Sequence, residues 1–226
     1  MEDFIQIIEA IKNINWATIS TALTAIATIY IAIAAFRALN TWKYQTRAQI
    51  HMQFMDELTN IVHEYIQAMQ APTQKLEFVK IGIQAYSETP SLKGKDSKNV
   101  GVISYIEKNG KADQVKLIEY LDKVRPMKSR MISLATKGQA LGFKNYKQCY
   151  DACIMLAWSY GQIEAFAGLI GSTGLNWENQ EVQQMLDKVM TIDTEAIMKN
   201  LEEQNIAFLK FEDQSYQTLF RKRLSE

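Results

Sequence analysis

The sequence predicts an all-α protein with no sheet: a single N-terminal transmembrane helix continuing into a cytoplasmic helical bundle. Three observations carry that prediction. Only 3 prolines and 10 glycines interrupt 226 residues that are 47% hydrophobic, too little punctuation for the many turns of a β fold. An uncharged stretch lies close to the N-terminus. Beyond it, apolar residues recur at steps of three and four, the period of a helix with one buried face. The organisation expected is residues 1–36 as N-terminal segment and anchor, and 37–226 as cytoplasmic bundle.

Residues 1–12 read as a short amphipathic piece, with Phe4, Ile8 and Ile11 opposing Asp3, Gln6 and Glu9. It either lies along the outer interface or extends the spanning helix. From Asn13 to Phe36 the chain carries no formal charge. At about 1.5 Å per residue this run covers roughly 36 Å, enough to cross a bilayer core of about 30 Å with some tilt. Its flanks suit the two interfaces. Trp16 stands near one end, and Arg37, Trp42, Lys43 and Tyr44 follow the other, as anchoring aromatic and basic side chains would. Glu2, Asp3 and Glu9 precede the run while Arg37, Lys43 and Arg47 follow it, so the positive-inside rule places the C-terminal part in the cytoplasm. An acidic n-region and a long apolar core argue for a retained anchor rather than a cleaved signal peptide.

Within the run, Ala17, Thr21, Thr24, Thr28 and Ala35 fall on one stripe of the helix, and Ile19, Leu23, Ile26, Tyr30 and Ile33 fall on the opposite face. Small residues let backbones approach, and threonine hydroxyls bond across an interface or back to their own helix. Three readings stay open: a lone lipid-exposed helix, a packed self-association seam, or the lining of a water-filled channel.

No proline or glycine occurs from Phe36 to Ala71, so the helix is expected to run on into the cytoplasm and stop at Pro72. Met55, Leu58, Val62, Tyr65 and Met69 give it a stripe that needs partners. After the apolar stretch Leu76 to Tyr86, residues 87–101 have loop composition and are the expected mobile segment. Helices are expected over Val102 to Lys108 and Ala112 to Val124, with Pro126 kinking or ending the second. Lys144 to Ile170 is the most apolar soluble stretch and is assigned to the bundle centre. A helix over Glu178 to Met190 follows, then a last one capped by Asp193 or Thr194 and running towards Arg221, Lys222 and Arg223.

Chemistry is sparse. The 25 basic and 25 acidic residues cancel, so no global field exists to hold nucleic acid, and DNA binding is not expected. Gly94-Lys95-Asp96-Ser97 lacks the glycine spacing of a phosphate cradle, and Gly168, Gly171 and Gly174 read as a helix end. His51 and His63 are about three helical turns apart, too far to share a metal, and Cys149 and Cys153, one turn apart, read as buried side chains. No cofactor, metal or enzymatic activity is expected. One pair stands out: Arg47 and His51, a turn apart, could serve as charge stabiliser and general acid–base in metal-independent RNA cleavage. The structural alternative makes Arg47 a headgroup contact and His51 a polar residue on the outer side of the helix.

The single N-terminal spanning helix, the Thr41-Trp42-Lys43-Tyr44-Gln45 exit and the compact helical bundle resemble the HEPN-like Csx-type accessory membrane proteins of type VI-B CRISPR systems. The resemblance implies an oligomeric, ring-shaped pore that depolarises the inner membrane in antiphage defence, with an RNA-guided nuclease as a partner beside the lipid bilayer. Three residues separate Arg47 from His51, where HEPN ribonucleases have four to six. Two other functions remain open: a membrane-tethered ribonuclease using Arg47 and His51, or a non-catalytic scaffold recruiting a soluble partner through residues 87–101 or the basic tail.

Overall fold

A computed structural model describes residues 16–88 and 99–221, with side chains described for 17–88 and 99–218. The protein is all-α, with no strand among the described residues. The helices are α1 (Trp16–Ser87), α2 (Val100–Tyr105), α3 (Lys111–Gly138), α4 (Tyr146–Ile170), α5 (Gln180–Met190) and α6 (Thr194–Arg221). A π-helical turn, Ile106–Gly110, joins α2 to α3, and a 3-10 turn, Gln139–Leu141, follows α3. The chain divides into two compact units, 1–50 and 51–226. Residues 1–12, most of the 87–101 segment, and Lys222 and Arg223 lie outside the described residues.

In the second unit the polar contacts set the directions of the helices. Glu57 pairs with Arg130 and Lys75 with Asp113, so α3 runs antiparallel to α1. Asp56 accepts from Tyr216 and Glu212 from Thr59, so α6 is also antiparallel to α1. Tyr65 donates to the Leu156 carbonyl at 2.8 Å, and Phe54 lies near Tyr146, so α4 is parallel to α1. The result is an up-down-up-down four-helix arrangement, with α2 and α5 at the end away from His51. Its core is the stripe expected on α1, namely Met55, Leu58, Val62, Tyr65 and Met69, closed by Leu121, Met131, Cys153, Tyr160, Phe166, Phe208 and Phe211.

The helix end expected at Pro72 is corrected, and so is the ending, one of the two outcomes expected, at Pro126. Pro72 lies inside α1, which continues to Ser87. The missing N–H and the ring clash cost about 3 kcal/mol in a helix interior, but Pro72 is itself buried and Leu76, Val79 and Ile83 beyond it complete the core. Burying three such side chains contributes about 1.5–3 kcal/mol each, which outweighs the break. Pro126 likewise sits within α3, on its exposed side, between Leu121 and Val124 before it and Met131 and Leu134 after it, all buried. Gly110 does not end a helix either: a Cβ there would come within 2.0 Å of the Ile170 carbonyl oxygen, so glycine lets this turn touch the end of α4. Asp193, rather than Thr194, caps α6, its carboxylate accepting from the Glu195 and Ala196 amides.

Candidate functional site

Two helices among the described residues are long and apolar enough to cross a membrane, α1 in its N-terminal part and α4. The apolar window of α1 is 0% buried, and every described side chain from Ala17 to Tyr44 is exposed, on all sides of the helix. A helix apolar all round is normally enclosed by protein or by lipid. Here no described part of the chain encloses it.

The stripe residues lie on this exposed stretch. Thr21 donates its hydroxyl to the Ala17 carbonyl, Thr24 to that of Ser20, and Thr28 to that of Thr24, each at 2.8 Å. Hydrogen bonding one turn back satisfies the hydroxyl protons where a bilayer core would offer no partner. It leaves each Oγ1 with acceptor capacity directed away from its own backbone, for water or for a donor on a neighbouring helix. Ala17 and Ala35 end the stripe with side chains short enough for backbones to approach. At the following boundary Arg37, Trp42, Lys43 and Tyr44 are all exposed on α1, and Thr41 bonds back to the Arg37 carbonyl at 3.0 Å. Trp16 is the first helical residue; its side chain lies outside those described.

Arg47 is exposed and belongs to the first unit, while His51 opens the second. The outer-side position expected for His51 is corrected: it is only 8% exposed, its ring centroid 4.5 Å from that of Phe143. Phe54, Tyr146 and Phe211 complete an aromatic cluster with Phe143. The sequence reading missed Phe143. Its turn carries a recognisable signal, because Gly142 at φ 71° and Asn145 at φ 60° are residue types suited to the left-handed region. That the turn closes over His51 depends on how α3 and α4 pack, which no local signal encodes.

Elsewhere the polar groups fasten helices. Asp113 accepts from Lys75 at 2.7 Å and from Tyr105 at 2.6 Å, and burial, followed by this carboxylate, holds the Tyr105 phenol well above its ordinary pKa. Lys80 donates to the Met190 and Ile192 carbonyls at the end of α5, and burial lowers its pKa against the opposing pull of Asp193. Cys149 and Cys153 are free and buried; the neighbouring Cys153 thiol, then burial, pushes the Cys149 thiol up, so it stays protonated. Among the described residues no three or more metal-ligating side chains gather.

No family model, no curated protein and no solved structure matches the chain.

Proposed function

We propose that this is a single-pass inner-membrane protein, N-terminus outside and bundle in the cytoplasm, whose spanning helices associate along Ala17, Thr21, Thr24, Thr28 and Ala35 to form an oligomeric, membrane-depolarising pore. The observation that carries this reading is the apolar window of α1, which no described part of its own chain covers. Lipid on the Ile19, Leu23, Ile26 and Tyr30 side and neighbouring copies on the threonine side would cover it completely. The oxygen acceptors of Thr21, Thr24 and Thr28 suit a wet lumen, since each hydroxyl proton is already placed. Basic residues after the run and acidic ones before it support the orientation. The defence setting and the nuclease partner rest on the architectural resemblance.

The test is dye efflux and single-channel recording from the full chain in liposomes, alongside its oligomeric state in mild detergent. Replacing Thr21, Thr24 and Thr28 together by valine preserves shape and removes the oxygens; conductance should fall about tenfold or more while insertion persists. A monomer that leaks nothing overturns the pore. The ribonuclease alternative is separable: RNA cleavage abolished by His51→Ala would establish it. A general base must reach the proton it removes, and a side chain 8% exposed under Phe143 offers little approach, which ranks that reading second.

A further inference from the structure

We infer that the turn joining α3 to α4, from Lys137 to Lys147, is a docking surface for anionic phospholipid headgroups. The inference rests on the membrane-anchored reading and adds a second point of contact to it.

The turn reads Lys137-Gly138-Gln139-Ala140-Leu141-Gly142-Phe143-Lys144-Asn145-Tyr146-Lys147: three lysines and no acidic residue, in a chain whose total charge is zero. All three lysines are exposed, as is Ala140, and Leu141 is partly exposed. The one acidic group touching them is Asp151, paired with Lys147 at 2.5 Å; the Lys147 side chain remains 84% exposed. The lysines are presented by a shaped turn. Gly142 and Asn145 hold left-handed conformations, and the Phe143 ring between them is packed on His51.

Position selects the partner. The packing of Phe143 on His51 puts the turn at the end of the second unit where the chain enters it, and the antiparallel course of α3 and α6 brings their C-terminal ends to that same end. The stretch between Tyr44 and His51 spans at most about 25 Å even fully extended, so on the anchored reading this end stays within that tether length of the interface that Trp42 and Tyr44 would occupy. A tethered basic surface meets headgroups at high effective concentration. Each lysine near an anionic leaflet strengthens attachment about fivefold, so Lys137 and Lys144, with Lys147 offset by Asp151, favour the docked state about 25-fold. RNA also offers phosphates, but a single-stranded RNA site needs aromatic faces for its bases. Within the turn, the Phe143 ring packs against His51 and the Tyr146 side chain is buried, while Ala140 and Leu141 suit the acyl boundary.

The test uses the full chain carrying Ala140→Cys labelled with nitrobenzoxadiazole, the native cysteines being buried, reconstituted in phosphatidylcholine vesicles with and without 30% phosphatidylglycerol. Carbonate-resistant flotation reports the anchor separately from the probe. The expected result is flotation in both lipids, with a blue-shifted emission, quenched by headgroup-level spin-labelled lipid, only in the anionic vesicles. The shift should be lost in 0.5 M salt and in Lys137→Glu/Lys144→Glu/Lys147→Glu. A protein that floats while its probe stays solvent-like in anionic vesicles overturns the docking surface and leaves the anchor standing. A protein that does not float overturns the anchor and this inference with it. A shift produced by RNA, but not by anionic lipid, also overturns it.

Discussion

The N-terminal part of α1 and helix α4 are both long and apolar enough to cross a bilayer, yet half of the apolar window in α4 is buried and none of that in α1 is. In α4 the buried residues form one face, from Cys149 and Cys153 through Leu156, Tyr160 and Ile163 to Phe166 and Ile170, with α3 and α6 packed along it. In α1 apolar residues occupy every direction from Ala17 to Phe36. Apolarity alone therefore does not separate a bundle core helix from an apolar stretch left uncovered by the described residues. What separates them is whether the chain supplies partners for the apolar face.

The contrast can be broken at either helix. Phe166→Ala opens a cavity in the fully buried face of α4 and should destabilise the bundle by about 3–5 kcal/mol. Leu23→Ala, equally a loss of an apolar side chain, should change it by less than about 0.5 kcal/mol. Urea unfolding in mild detergent, followed by near-UV circular dichroism, measures both. Conversely, Ile26→Lys should weaken membrane insertion by about 2.5–3.5 kcal/mol while leaving that unfolding curve in place, as read by carbonate extraction. Equal effects of Leu23→Ala and Phe166→Ala would erase the distinction.

Two glycines sharpen it within the bundle. A Cβ at Gly138 would lie 1.9 Å from the Tyr146 hydroxyl and 2.5 Å from Phe54, so Gly138→Ala should cost about 1–3 kcal/mol. Gly161 on the open side of α4 has nothing within 4 Å of that position, so Gly161→Ala should stabilise by up to about 1 kcal/mol through helix propensity.

Much of this difference was legible in the sequence. The run that is long and apolar enough to cross a membrane declares itself by lacking charge, and the apolar density of Lys144 to Ile170 predicts the bundle centre, where Tyr146, Cys153, Tyr160, Ile163, Phe166 and Ile170 are buried. The helix bounds near Pro72 and Pro126 were not, because a proline's local cost is offset by core residues on its far side, and that gain depends on partners distant in sequence. The position of His51 was misread for the same reason: its burial is made by Phe143, on a turn between two other helices. The threonine stripe was visible, whereas the direction of its hydroxyl protons needed the helix itself.

Alkaline pH provides a finer probe of the bundle alone. Burial, then the Asp56 carboxylate that accepts its hydrogen bond, raises Tyr216 from 10.0 to about 12. A phenol raised in the folded state contributes stability that is intact below about pH 10 and is lost as pH rises from 10 to 12. Tyr105 and Tyr146 are raised as well, burial again first. Unfolding and tyrosinate absorbance at 295 nm should therefore rise together in that window. Tyr216→Phe should flatten the pH dependence and remove at most about 1 kcal/mol at neutral pH.

The hydrogen bond from the Tyr65 hydroxyl to the Leu156 carbonyl, 2.8 Å long and fully enclosed, restricts how α1 can move against α4. A piston stroke of one helical turn, about 5.4 Å, would strip a buried donor and a buried acceptor of each other, at about 1–3 kcal/mol apiece. Tilting or sideways rocking of α1 against α4 keeps that latch shut. Movement of α1 within the bundle is thereby steered towards lateral displacement of the helix rather than a stroke along its axis.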